Sequence, residues 1–105
     1  MSLSTHVLDA ALGRPAAGVP VRLEHGNVIL AHAVTDDDGR VRELGDLGVL
    51  GVGTYRLVFD TAAYFAGAPC FYPEVVVTFA VIDAAQHHHV PLLLSPFAYS
   101  TYRGS

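Results

Sequence analysis

The chain has no lysine and no tryptophan, and it holds one cysteine and one methionine. Without lysine, its positive charge rests on arginine alone, and the formal net charge is -4. That balance argues against nucleic acid or an anionic membrane as a partner, since both demand a basic surface. The single Cys70 cannot close an internal disulfide, which fits a reducing, cytoplasmic setting. It sits between Pro69 and Phe71 with no base beside it in sequence, so it reads as a structural thiol rather than a nucleophile. No apolar run is long enough to span a bilayer; the longest of note, Val75 to Ile82, falls far short. The start, MSLSTHVLDAALG, lacks a basic region followed by a long apolar stretch, so no signal peptide is expected.

What remains is enough for one ordinary core. The 105 residues are about half apolar, which predicts a single domain over 1–105. Thr5 to Asp9 reads as a first strand and Ala10 to Gly18 as a loop. Val19, Val21 and Leu23 alternate with Pro20, Arg22 and Glu24, the mark of a strand with one buried face. After a turn at His25 to Asn27, Val28 to Val34 forms a strand apolar on both faces apart from His32. The run TDDDG turns the chain, and Arg40 opens a short extended piece. Leu44 to Gly53 reads as a loop, and Thr54 to Phe59 as a strand. Asp60 looks like the N-cap of a short helix over 61–66, stopped by Gly67 and Pro69. Glu74 to Ile82 is apolar on both faces, so it is either central in a sheet or turned toward a partner subunit. A last hairpin runs from His87 to Leu94, turns at Ser95-Pro96, and returns over Tyr99 to Arg103. Seven or eight short strands with regular turn signals and one brief helix predict an all-β sandwich.

The histidine-rich end carries the chemistry worth weighing. In a strand His87, His89, Pro91 and Leu93 share one face, while His88, Val90, Leu92 and Leu94 share the other and suit a core. His6 in the first strand could meet them, because first and last strands of a sandwich often pair. Three imidazoles with an open position is a zinc arrangement. Adjacent histidines cannot all point at one ion, however, and no supporting shell is visible, so no metal is assigned. Acid-base chemistry is the other reading. Imidazoles titrate near neutral pH, and a guanidinium such as Arg40 can hold a developing oxyanion. Each piece also has a bland reading: His6 as a satisfied strand histidine, Arg40 as half of a surface ion pair. His25 and His32 read as ordinary surface histidines.

Longer strings go further than spacing. STHVLDAALGRPAAGVPVRL, TDDDGRV, YRLVFDTAAYF, FYPEVVVTFAV and HHHVPLLLSPFAYSTYRGS together resemble the transthyretin-like 5-hydroxyisourate hydrolase family, from near Ser4 to Ser105. The terminal YRGS separates those hydrolases from transthyretin proper, the hormone carrier on the same fold. That carrier has a different tail and lacks the matching histidines and arginine. The resemblance implies a Greek-key sandwich of two four-stranded sheets with a short helix, assembled as a homotetramer, with a site in the cleft between dimers. It places the family's catalytic residues on His6, Arg40 and His89, and its cleft-closing signature on Tyr102, Arg103, Gly104 and Ser105. The implied reaction is the hydrolytic opening of 5-hydroxyisourate to 2-oxo-4-hydroxy-4-carboxy-5-ureidoimidazoline in urate degradation, without a cofactor. Two departures are visible. His88 stands where the family usually has an aromatic residue, and Ala98 replaces the more usual Gly or Ser in the final turn. If His88 faces the core, it needs a hydrogen-bond partner. The rival readings are a carrier that uses the same cleft for an aromatic ligand, and a histidine metal-storage module.

Overall fold

The computed structural model describes residues 3–46 and 50–105. Its elements are β1 (Leu3–Asp9), β2 (Arg14–Pro15), β3 (Pro20–His25), β4 (Val28–Val34), β5 (Arg40–Val41), β6 (Gly53–Phe59), α1 (Thr61–Phe65), β7 (Val75–Val81), β8 (His88–Leu94) and β9 (Tyr99–Thr101). They form two sheets: one of order β4-β3-β6-β7, and one of order β2-β1-β8-β9 with β5 also paired to β1. The all-β sandwich with one short helix is therefore what the chain adopts.

The alternation seen in the sequence builds the interior. Val21 and Leu23 of β3, Leu57 and Phe59 of β6, Val75 and Val77 of β7, and Leu92 and Leu94 of β8 all point inward, joined by Leu3 and Val7 of β1. Each such side chain contributes roughly 1.5–3 kcal/mol by leaving water. A slip of one residue in any of these strands would turn that set outward, so the core fixes the register of the residues between them.

Two details differ from expectation. The sheet that holds β1 has five strands rather than four, because the edge beside β1 is broken in two. β2 pairs with Leu8 and Asp9, while β5 pairs with Thr5 and His6. The helix ends at Phe65, one residue early. Ala66, not Gly67, is the left-handed cap (φ 51, ψ 47), donating its N–H to Ala62 O. Asp60 caps the other end as expected, accepting from the Ala63 N–H at 3.1 Å. Of the two alternatives for β7, the central one is not adopted: it lies at a sheet edge, with Val76 45% exposed on its outer face. The loop expected over Leu44 to Gly53 is described in part. Leu44 is buried and the Leu50 N–H donates to Asp46 O, while 47–49 lie outside the described residues.

Asp9 links β1 to the helix. Its buried carboxylate accepts the N–H groups of Ala11 and Leu12 and the Tyr64 hydroxyl at 2.6 Å. Partial burial, and then that carboxylate, push the Tyr64 phenol up to about 12. No helix among the described residues is long and apolar enough to cross a membrane.

Candidate active site

β1 sits between β8, which runs parallel to it, and the short β5, which runs antiparallel. Register then decides which side chains meet. Ser4 lies opposite His89, and His6 lies opposite Arg40. Directly paired residues on neighbouring strands have Cα atoms about 5 Å apart. Because Leu3, Val7, Val41, Val90 and Leu92 are buried inward, Ser4, His6, Arg40 and His89 fall on the outer face of this sheet. His6, Arg40 and His89, far apart in the chain, are thus brought to one patch.

The turn before β5 sets the position of Arg40. Gly39 has φ 75, and a Cβ on it would lie 2.3 Å from Val7 O, so the turn packs directly on β1. The Val7 N–H donates to Gly39 O at 2.7 Å, and Asp36 accepts the N–H groups of Asp38 and Arg40. Those amides hold the Asp36 carboxyl below its usual range. The nearby Asp38 carboxylate pairs with Arg42 at 3.8 Å. Among the described residues, the Arg40 guanidinium makes no salt bridge. The reading of Arg40 as half of a surface ion pair therefore does not hold.

A recess of about 290 Å³ opens here, lined by Ser4, Thr5, Arg40, Val41, Arg42, His87, His89 and Ser105. His89 is half-buried on its rim. Its Nδ1 is 2.7 Å from Ser4 Oγ, which leaves Nε2 for whatever enters. Burial, and then the positive charge of Arg40, His6 and His87, push the His89 imidazole below its ordinary value, with hydrogen bonding to Ser4 opposing in part. A depressed value favours the neutral ring, the form that can accept a proton. His6 donates its Nε2–H to Asp38 O at 2.9 Å, since a carbonyl can only accept. The lone pair of neutral His6 is therefore on Nδ1.

The tail residues divide. The Gly104 N–H donates to His89 O at 2.9 Å. A Cβ at Gly104 would stand 2.4 Å from His89 Cδ2, so the glycine lets the backbone lie against the imidazole. Ser105 lines the recess. Tyr102 and Arg103 instead border a neighbouring recess of about 330 Å³ between β7 and β8, and Arg103 bonds Gln86 at 3.2 Å. His88 turns inward, 5% exposed, and donates its Nδ1–H to Gln86 O, the partner a core histidine requires. Among the described residues no three His, Cys, Asp or Glu side chains are grouped to hold a metal ion.

Sequence reasoning overlooked Ser4, Thr5 and Arg42. Ser4 was legible in principle: it lies two residues from His6, and so on the same face of β1.

Comparison with known proteins adds to this geometry. The HIUase/Transthyretin family model matches residues 3–104. A 5-hydroxyisourate hydrolase 2 of Rhizobium meliloti is 48% identical over 98% of this chain and 95% of its own length. The uric acid degradation bifunctional protein TTL of Arabidopsis thaliana is 46% identical, and this chain spans 37% of its length. Among solved structures, Klebsiella pneumoniae 5-hydroxyisourate hydrolase superposes with a TM-score of 0.90 at 37% identity, over 100% of both chains. Sea bream transthyretin in complex with thyroxine reaches 0.91 at 32% identity, over 99% of this chain and 95% of that one. Backbone likeness alone does not separate the hydrolase from the carrier; the side chains in the recess must do so.

Proposed function

The chain belongs to the HIUase/Transthyretin family, and within it we propose that this protein is the hydrolase, opening 5-hydroxyisourate with water in urate degradation. The observation that carries this reading is a half-buried His89 on the rim of a recess that it shares with Arg40, whose guanidinium makes no salt bridge among the described residues. Such a pair supplies a base and a resident positive charge together.

His89 Nε2, helped by the bare Nδ1 of His6, takes a proton from water. The hydroxide adds to the ring carbonyl carbon. Arg40 holds the oxyanion with its fixed donor fork, strongest where little water remains. The carbon–nitrogen bond breaks, and His89 Nε2–H returns the proton to the leaving ring nitrogen. The product is 2-oxo-4-hydroxy-4-carboxy-5-ureidoimidazoline. One water is consumed, and the steps need no cofactor. Ser105 and the backbone at Gly104 close the recess beside the substrate.

A homotetramer, a dimer of dimers, is part of this reading. It would cover apolar side chains that one copy leaves in water, among them Val76, Phe97 and Tyr99. A cytoplasmic setting accords with the single free cysteine.

The carrier reading draws on the likeness to transthyretin in complex with thyroxine. Two imidazoles and two arginines make this recess polar, a poor match for an apolar aromatic ligand. The test is the absorbance decay of freshly made 5-hydroxyisourate. Added protein should accelerate it well above the spontaneous loss, and His89→Ala should reduce the rate by roughly a hundredfold or more. Decay at the spontaneous rate with the folded wild type would reject the hydrolase reading.

A further inference from the structure

Ser4 is 8% exposed and touches two imidazoles at once: His89 Nδ1 at 2.7 Å and His87 Nε2 at 2.8 Å. The strands impose this arrangement. Ser4 stands opposite His89 in the β1–β8 register, and His87 and His89 project from the same side of their segment. A hydroxyl has one proton to donate and lone pairs to accept with, so it donates to one of these rings and accepts an N–H from the other. His87 is exposed to solvent, whereas His89 is half-buried beside Arg40 and His6.

We propose that His87, Ser4 and His89 form a proton relay that carries charge from the base in the recess to solvent. The inference rests on the hydrolase reading above. At rest His89 donates Nδ1–H to Ser4 Oγ, Ser4 donates its hydroxyl proton to His87 Nε2, and His89 Nε2 is free. When Nε2 takes the proton of the attacking water, Nδ1–H passes to Ser4 and the serine proton passes to His87. His89 is then neutral and carries Nε2–H, and His87 is the imidazolium. When Nε2–H goes to the leaving nitrogen, the His87 proton returns through Ser4 to Nδ1. Water has been split between carbon and nitrogen, and every protein group is restored.

The relay answers a specific difficulty. Burial, and then the charge of Arg40, make a positive charge on His89 costly. Of the groups facing this ring, β5 supplies Arg40 with Arg42 beyond it, and β1 supplies His6 and Ser4. Among the described residues, no Asp or Glu side chain lines the recess to hold the charge in place. Moving the proton to His87 puts it where water solvates it. Ser4 and His87 are positioning and relay residues in this scheme, while His89 remains the group that meets the substrate.

The experiment takes wild type, Ser4→Ala, His87→Gln and the double variant. His87→Gln keeps a hydrogen-bonding group but cannot hold the proton. Each single variant should lower kcat roughly tenfold or more with KM nearly unchanged, and the double variant should be no slower than the worse single one. In parallel, the ring ¹⁵N resonances of His87 and His89 are followed against pH. The two rings should titrate as one coupled system in wild type and independently in Ser4→Ala. A single variant with wild-type kcat, additive losses in the double variant, or uncoupled titration in wild type would overturn the relay. Because the NMR measurement needs no turnover, it tests the relay apart from the hydrolase reading, which fails separately if wild type does not accelerate substrate decay.

Discussion

The outer faces of the two sheets carry their arginines in opposite ways. On the β4-β3-β6-β7 sheet, Glu24 accepts from Arg22 at 2.5 Å and from Arg56 at 3.1 Å, Arg22 reaches Glu74 at 3.3 Å, and Arg56 also bonds Gly26 O. Every cation in that group has an anion or a carbonyl. On the other sheet, Arg40 and the imidazoles of His6, His87 and His89 gather beside a recess that, among the described residues, no Asp or Glu side chain lines. The first arrangement is a solvated, self-neutralised surface. The second leaves positive charge unspent, which costs some stability and is useful where negative charge must develop.

Removing one arginine from each face tests this contrast most severely. Arg40→Ala should lower 5-hydroxyisourate hydrolysis by roughly a hundredfold or more, while melting temperature and assembly change little. Arg22→Ala should leave turnover within about twofold and affect only stability, by an amount typical of exposed pairs, about 0–1 kcal/mol. Steady-state rates beside thermal melts give both readings. Near-normal turnover in Arg40→Ala would erase the distinction between the faces.

A smaller effect comes from the backbone over the site. Gly104→Ala puts a methyl 2.4 Å from His89 Cδ2, so either the tail lifts or the ring turns. A shift near 1 Å at a catalytic group is enough for about a tenfold loss of kcat or more. The paired face has no counterpart: a Cβ on Gly26 meets nothing within 4 Å. Its replacement should disturb only the turn, whose φ of 60 favours glycine. Unchanged kcat in Gly104→Ala would mean that the tail does not constrain His89.

How much of this was legible beforehand varies along the chain. Alternation in HHHVPLLL correctly turned His88 inward and His89 outward, because a period of two is local information. The strand Val19 to Glu24 was legible for the same reason. What no local pattern holds is which strand lies beside which. The pairings Ser4 with His89 and His6 with Arg40 depend on a parallel β1–β8 contact and on Gly39 packing against β1. Family likeness supplied the three-residue grouping, and the register explains it. Ser4 stayed hidden because a serine beside Thr5 looks like ordinary strand polarity until both imidazoles are seen on it. The helix end was misplaced because Ala66 accepts a left-handed conformation that the rule assigns to the following glycine.

The pH dependence sharpens the contrast further. His89 titrates below the ordinary imidazole value of 6.5, chiefly through burial and next through Arg40. The acid limb of kcat/KM in wild type should therefore lie below 6.5, since the base is lost only when His89 protonates. Arg40→Gln removes one repelling charge, so the limb should move upward even as the rate falls. His89 resonances should report the same displacement without substrate. A limb that stays in place would remove Arg40 from the electrostatics of the base.

The smallest expected effect lies on the paired face. Hydrogen bonds from Arg22, and then Arg56, hold the Glu24 carboxyl below its usual 4.5. A carboxyl with a depressed folded value adds stability above its unfolded value, and that gain is lost as pH falls through the folded one. Glu24→Gln should thus melt slightly below wild type at pH 7, and the two curves should converge once the medium is acid enough to protonate Glu24. Turnover at neutral pH should be unaffected, because nothing on β3 reaches the recess. A Glu24→Gln protein with impaired turnover would show that the two faces are energetically joined through the core between them. The division of labour drawn here would then be one of position only.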